Sequence, residues 1–414
     1  MTPAVPRTSA ISVSGRGRPD KAPESTVLAL NSGSSSLKFG LYRVGPSETG
    51  MLLSGEVDSI GGSQGRFSAR DSRQKELVCE SVSAPDQQKA MTRIARLLAE
   101  ADMPAPAAIG HRVVHGGPKL RQHCVIDDTV LQQLAAAAVF APLHTPSALA
   151  VIRLAQAHFP GLAQVACFDT TFHADMPDVA RVLPIPKELR TEGIARYGFH
   201  GLSIESILHQ LGDDLPDRMI VAHLGNGASI TAVKSGKSID TSMGLTPTGG
   251  VIMGTRSGDL DPGLLVYLMR QKSFDAAMVE DLVDHRSGLL GISGVASDMR
   301  RLHQAAASNA DARLAVQMFC YSVRKQVAGM TAALDGLDLL VFTGGIGEND
   351  GPVRAEICAG LSWMGVSIDK ARNRTASTGR INDSASQCSV RVLASQEDQQ
   401  IVRHTRVLVT PVGS

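Results

Sequence analysis

The chain has no apolar run as long as the roughly 18 residues that a membrane-crossing helix needs, so no such helix is expected. Its six cysteines, Cys79, Cys124, Cys167, Cys320, Cys358 and Cys388, are scattered and form no C-x-x-C pair. That spacing suggests neither a zinc site nor a disulfide framework, and reduced thiols are the simplest expectation. An excess of one charge is also missing. The 41 Lys and Arg against 40 Asp and Glu leave +1, which gives no reason to expect nucleic acid or an acidic membrane surface as partner. One tryptophan and four tyrosines offer little surface for stacking bases. The pattern G-x-x-x-x-G-K-[ST] is absent, so any phosphate must be held by other loops. What is present is ordinary for a globular chain, 43% apolar and 20% charged, and 414 residues are too many for one core. Two or more domains follow.

The chain is organised around Asp240–Gly263, DTSMGLTPTGGVIMGTRSGDLDPG, which holds six glycines and a single cation, Arg256. Glycine at that density marks backbone that passes close to something or needs positive φ. Arg256, followed by Asp259 and Asp261, reads as a guanidinium fork on a loop with carboxylates nearby, suited to phosphate or carboxylate. Upstream, residues 1 to about 25 are rich in Pro, Ser, Gly and Arg without apolar periodicity, the composition of a disordered extension. Then comes a strand at Val27–Leu30, a turn at Asn31–Ser36 and a strand from Leu37 to Tyr42. The turn's N–H groups, its serines and Lys38 suit phosphate oxygens, and Asn31 suits a metal-bound water. The arrangement recurs at Met219–Ala222, His223–Gly227 and Ala228–Val233. A third variant runs from Leu339–Thr343 into Gly344–Asn349. Repeated hairpins in both halves predict a duplicated domain whose halves face each other across a cleft, with a nucleotide's phosphates between the tips.

Helical periodicity is expected over Gln88–Asp102, Thr129–Phe140, Pro146–Phe159, Ala312–Leu334 and Glu397–Val407, and strands over Ile109–Val114 and Val165–Phe168. The second of these strands delivers Asp169 at its carboxyl end, where open α/β sheets bind ligands. Alternation of this kind makes the class α/β. His111 and His115 are four apart, the spacing of a helical metal pair, but their segment reads as strand and loop. His144 and His173 read as packing residues, His209 as a solvated helix position, and Glu348 as either catalytic or loop-ordering.

Eight separated stretches, LNSGSSSLKFGLY, GHRVVHGG, FDTTFHADMP, RYGFHG, HLGNGAS, DTSMGLTP, GTRSGDLDPG and FTGGIGEN, resemble the motifs of the acetate kinase family, in order. With a tail glutamate they run from Leu30 to Glu397. The resemblance implies duplicated actin-like, ribonuclease-H-like domains around an active-site cleft. It implies residues 26–170 and 398–414 as the N-terminal domain, with the first phosphate hairpin and part of the acyl site. Residues 171–397 would form the nucleotide-binding and dimerisation domain. The implied reaction is reversible transfer of the ATP γ-phosphoryl to acetate, giving acetyl phosphate and ADP, with Mg²⁺ or Mn²⁺, in a cytoplasmic homodimer. By the same resemblance the catalytic residues are Arg112, Asp169, His200 and Arg256, and the metal positions are Asn31 and Glu397. The acyl group would meet Arg112, Val114, Leu143, Phe199 and Pro247. Nucleotide contacts fall on Lys38, on His223, Leu224, Gly225, Asn226 and Gly227, on Asp298, Met299 and Arg300, and on Gly345, Ile346, Gly347, Glu348 and Asn349. The chain departs from the family pattern at Thr145, at Leu202–Ile204 and at Thr248-Gly249, which leaves acyl-chain preference open. A propionate or butyrate kinase of the same mechanism, or an inactive nucleotide-binding relative, are the other readings.

Overall fold

A computed structural model describes residues 25–33, 36–45, 49–60, 65–82, 86–142 and 144–410. The extension over residues 1–24, Ser34, Ser35, Leu143 and residues 411–414 lie outside the described residues.

Two sheets share one plan. The first takes the strand order β5-β4-β3-β2-β1-β6-β8-β7. Its strands are β1 (Ser25–Ser32), β2 (Leu37–Val44), β3 (Thr49–Asp58), β4 (Gly65–Asp71), β5 (Glu76–Val82), β6 (Ala108–Val113), β7 (Cys124–Val125) and β8 (Ala163–Phe168). The second takes the order β11-β10-β9-β12-β14-β13, from β9 (Arg218–Leu224), β10 (Ala228–Lys234), β11 (Lys237–Thr241), β12 (Leu339–Thr343), β13 (Gly379–Arg380) and β14 (Ser389–Val392). In the first sheet, β3-β2-β1 is an antiparallel meander continued by parallel β6 and β8, with antiparallel β7 at the edge. In the second, β11-β10-β9 is the same meander, continued by parallel β12 and β14 and closed by antiparallel β13. The duplication expected from the repeated hairpins is therefore present over six strands of each sheet, with β4 and β5 added to the first.

The parallel strands are near-continuous apolar runs because both their faces are covered. Leu339–Thr343 is buried at all five positions. The Ala310–Leu334 helix lays Ala315, Phe319, Val323 and Val327 against the second sheet's core. Asn309 caps its start by accepting the Ala312 N–H, and Asp335, in the left-handed region, ends it. On the first sheet, the Gln87–Glu100 helix buries Met91, Ile94 and Leu98 at the expected period.

Two helices bind the halves together. The Gly201–Leu211 helix buries Leu202 with Val27, Ala29 and Ile401, whereas its Ile204, Ile207 and Leu211 pack on β9 and β12. The tail helix, Glu397–Val409, returns to the first sheet and docks against β6 at Gly110. A Cβ at Gly110 would lie 2.2 Å from Thr405 Oγ1 and 2.5 Å from Ile401 Cγ2. Only hydrogen fits there, and that close approach brings the start of the tail helix beside Asn31 at the end of β1.

One expectation is refined. Gly344–Asn349, read as a third variant of the turn, is itself a short helix leading straight off β12. Gly344 adopts φ +78°, which lets the chain swing from strand to helix without a connecting turn.

Candidate active site

Parallel neighbours β6 and β8 end side by side, and this pairing brings Arg112 to Asp169 across 57 positions of sequence. Arg112 donates from Nε and Nη2 to Asp169 Oδ2, at 2.9 and 2.6 Å, and from Nη1 to Asn31 Oδ1 at 3.2 Å. Asn31 in turn donates to Glu397 Oε2 at 3.2 Å and Asp398 Oδ1 at 3.4 Å. Four elements thus meet in one polar network, with three carboxylates against Arg112. Burial pushes Asp169 up to about 6 although Arg112 pulls the other way. Burial, and then the neighbouring Glu397, push Asp398 up to about 6. For Glu397 burial is outweighed by Arg112 and His223, which hold it below the usual carboxylate range. For Arg112 burial is outweighed by Asp169 and Glu397, so the guanidinium stays charged. Asp169 Oδ1 is buried with no hydrogen-bond partner, an acceptor left over for something the network itself does not contain.

His200 sits at the start of the Gly201–Leu211 helix with φ 61° and ψ 23°, a strained conformation for a residue with a side chain. Two contacts hold it there. Gly201 N–H donates to the Asp169 carbonyl at 2.8 Å, and His200 Nδ1 shares a 2.9 Å hydrogen bond with Ser229 Oγ. His223, at the end of β9, stacks on it at 4.1 Å between centroids and is fixed in turn by Ser203 Oγ at 2.8 Å. Burial, then the neighbouring cations, keep the His200 ring neutral well below its ordinary range, and burial lowers His223 as well.

Arg256 is part-buried in the glycine-rich segment, and Nη1 donates to the Pro247 carbonyl at 2.5 Å. The carboxylates read from sequence as its neighbours are used elsewhere. Asp259 accepts the Gly250 N–H at 2.7 Å, and Asp261 caps the Pro262–Gln271 helix. They serve the turns, because Gly250 and Gly258 sit at positive φ and leave backbone groups to be satisfied. The glycines of this segment allow contact with the β9–β10 hairpin. A Cβ at Gly254 would lie 2.3 Å from Asn226 Oδ1, and one at Gly227 would lie 2.9 Å from Arg256 Nη2 and 3.3 Å from His200 Nε2. Arg112, His200, Arg256 and the hairpin tip therefore converge.

Arg112, His200 and the hairpin tip line a cavity of about 630 Å³ together with Lys38, Glu397, Asp398 and Gly344-Gly345, and Arg256 stands behind the tip at Gly227. A second cavity, about 540 Å³, adjoins it through Gly225, Asn226 and Gly345 and reaches Asp298, Met299, Arg300, Ile346 and Asn349. The two form one trough running from the carboxylates to the second domain. The Asp298 carboxylate itself caps the Met299–Ala305 helix and pairs with Arg300 at 2.7 Å. Glu348 accepts from Gly344 N–H at 3.0 Å and Ser395 N–H at 2.9 Å, so it orders its loop and ties it to the tail. Gly347 is buried beneath the trough, behind β12. Val114 and Phe199 are buried in one core cluster, and the Pro247 carbonyl accepts from Arg256.

Some neighbours were not legible as site residues. Asp398 completes the carboxylate cluster, and Ser203, Ser229 and Ser395 set the two histidines. His144 lies beside Arg256 and Arg112, which, after burial, drive it down to about 4. Its only signal was its place between the prolines of PLHTP. His111 bonds Gln164 at 2.7 Å and His115 lies in an aromatic cluster with Phe140, Tyr197 and Phe199, so they form no metal pair. His173 bonds Ser238 and the Phe199 carbonyl, and His209 is exposed, both as expected. Away from the trough, His123, Glu205 and His404 also gather. There His123 Nδ1 accepts the Phe168 N–H, which places the ring's proton on Nε2 towards Glu205 and leaves no lone pair for a cation.

Comparison with known proteins agrees with this geometry. The model of the acetokinase family matches residues 26–403. An acetate kinase of Methylocella silvestris is 40% identical over 403 residues, covering 94% of this chain and 99% of that protein. An acetate kinase of Heliobacterium modesticaldum is 39% identical over 391 residues, covering 92% and 98%. Among solved structures, a propionate kinase from Francisella tularensis superposes with a TM-score of 0.87 at 38% identity, covering 93% of this chain and all of that one. The acetate kinase of Porphyromonas gingivalis gives 0.82 at 35% identity with the same coverage.

Proposed function

The chain belongs to the acetokinase family, and from that membership we infer that it is an acetate kinase, transferring the terminal phosphoryl group of ATP to acetate. The observation that carries the reading is the convergence of the part-buried Arg112 and Arg256 guanidiniums and the His200 imidazole about the β9–β10 hairpin tip, beside a trough that holds oxygen ligands. Acetate is already a carboxylate, so the acceptor needs no base. Phosphoryl transfer through a loose transition state asks for alignment and charge neutralisation rather than covalent help. Arg112 and Arg256 hold the acceptor and the transferring group in line, with the methyl group against Val114, Phe199 and Pro247. His200 Nδ1 is held by Ser229 Oγ, and the tautomer that serves the transfer carries the ring's proton on Nε2, facing the transferring oxygens. Lys38, the His223–Gly227 hairpin and Gly345 hold the nucleotide phosphates, and Ile346 and Asn349 with Asp298–Arg300 flank the adenosine. Asp169 orients Arg112.

The donor set also fits Mg²⁺. Asn31, Asp169, Glu397 and Asp398 offer only hard oxygen atoms, and Asp169 Oδ1 lacks any other partner. Bound there, the ion supplies screening of the phosphate charges, and Mn²⁺ would accept the same ligands.

A hydroxamate assay of acyl phosphate formation with acetate, propionate and butyrate tests the substrate. Best kcat/KM with acetate is the expected result. A clear preference for a longer acid would move the substrate, a reading that the likeness to a propionate kinase favours. One methylene is worth only about 1–3 kcal/mol, so all three acids must be compared. No acyl phosphate from any of them would sink the enzymatic reading.

The pH profile follows from the carboxylates. Above about 6 Asp169 is ionised and pairs with Arg112; below it the carboxyl is protonated and the pair is lost. An acid limb near pH 6 in kcat/KM is expected, and it should persist in a weakened His200→Gln enzyme. Loss of the limb in that variant would reassign it to the histidine.

We assign residues 26–170 and 398–414 to one domain and 171–397 to the other, a division that limited proteolysis tests. Leu264 and Tyr267 on the Pro262–Gln271 helix, with Leu260 just before it, and Leu314, Met318 and Tyr321 along one stripe of the Ala310–Leu334 helix, are exposed. That apolar surface supports a homodimer formed through the second domain. Light scattering should find a dimer, and a Leu264→Arg/Tyr321→Arg chain should be monomeric; an unchanged mass would remove this face from the interface. The described cysteines are all unpaired, which supports a cytoplasmic location that cell fractionation can check.

A further inference from the structure

A smaller, more enclosed cavity of about 110 Å³ lies apart from the trough, between the turn after β6, the segment after Asp169 and the stretch from Arg181 to Tyr197. Four arginines line it, Arg121, Arg181, Arg190 and Arg196, in a chain whose charges otherwise balance. Among the described residues the one carboxylate bonded to any of them is Asp178, which holds Arg181 at 2.6 Å. Arg196 is spent on structure, donating to the carbonyls of Ala180 at 3.1 Å and Thr241 at 2.9 Å. Among the described residues Arg121 donates only to the Ala174 carbonyl. Arg190 pairs with no side chain among the described residues. Tyr197 Oη donates to the Gly193 carbonyl at 2.8 Å, and Arg121 and Arg181 both face that hydroxyl. Guanidinium charges in excess around a recess of this size lack a counter-ion. The recess is too small for a nucleotide but wide enough for a compact oxyanion, which guanidinium forks grip at two points.

We propose that this pocket binds a phosphate-sized dianion, and that the bound anion braces the two segments carrying Asp169 and His200. Thr170, directly after Asp169, lines the pocket. Tyr197, three residues before His200, lines it too, and its ring lies 4.4 Å from that of His115, which in turn meets Phe199 edge-on at 5.5 Å. An anion that draws Arg121, Arg181 and Arg190 together therefore stiffens residues 181–197 and, through these rings, the wall beside Phe199. Binding at the pocket does not depend on the phosphoryl-transfer reading.

The test is calorimetric titration of inorganic phosphate into the full chain saturated with Mg²⁺ and a non-hydrolysable ATP analogue, which blocks the phosphate positions of the trough. Chloride at matched ionic strength controls for screening. Saturable binding is expected, weakened about ten-fold or more in Arg121→Ala/Arg190→Ala, as loss of charge-assisted contacts predicts. Both side chains are exposed, so the variant should fold and keep its phosphate-free kcat/KM. Hydrogen exchange over residues 181–197 should slow with phosphate in the parent chain and not in the variant. Absence of saturable binding, equal binding by the variant, equal competition by chloride, or unchanged exchange would each overturn the proposal.

Discussion

Arg256→Ala should lower kcat about 10³-fold or more, the scale of other arginines that neutralise a transferring phosphoryl group. The size of the effect comes from where the side chain lies. Arg256 is part-buried, close to Gly227 at the hairpin tip and near His200 Nε2, and Nη1 is anchored on the Pro247 carbonyl at 2.5 Å. Anchoring means that no reorganisation is needed as charge develops, and partial burial weakens screening by water. The anchor also carries a structural cost, since removing the donor leaves a part-buried carbonyl unsatisfied, worth about 1–3 kcal/mol. A melting curve must therefore accompany the kinetics. Arg256→Lys should keep the charge but lose the fork, and recover only part of the rate. A stable Arg256→Ala enzyme with near-normal kcat would remove Arg256 from the chemistry.

Much of this arrangement was legible in the sequence where the signal is local. The hairpins announce themselves by apolar runs on both sides of short glycine or serine tips, and each of them forms. The long helices follow the 3.6-residue period, and Asp169 stands at a strand's carboxyl end as expected. The pairing of Arg112 with Asp169 is a matter of topology, because nothing local tells β6 that its neighbour is β8. Those two residues came together on paper only through the family resemblance. Asp259 and Asp261 misled because proximity in sequence says nothing about which donors a glycine turn leaves unpaired. The helix within Gly344–Asn349 was less legible because a glycine at positive φ serves a turn and a strand-to-helix corner equally well. Asp398 and Ser203 had no motif of their own, and Ser229 only closes HLGNGAS, since their work is to fix other side chains. The arginine pocket was invisible because its members are spread from position 121 to 196 within a chain whose total charge is nearly zero.

Asp169→Asn is the second large change, and it separates two ways in which the carboxylate can act. Both Arg112 contacts fall on the same oxygen, Oδ2, while Oδ1 is buried and bonds nothing. Asparagine keeps the shape and one acceptor oxygen but removes the charge that offsets a buried guanidinium. Arg112 then faces Asn31, with Glu397 and Asp398 beyond it as the remaining counter-charge, and its fork is free to swing towards them. A loss of about 10³-fold in kcat is expected, comparable to removing one preorganised group from a charge-stabilising site. The Mg²⁺ dependence tells the roles apart. If Oδ1 takes part in holding the cation, the concentration of Mg²⁺ needed for half-maximal rate should rise together with the loss in kcat. If Asp169 acts only by orienting Arg112, that concentration should stay constant while the KM for acetate rises. Unchanged kcat with unchanged Mg²⁺ dependence would exclude both, and with them the reading of β6 and β8 as the strands that build the centre.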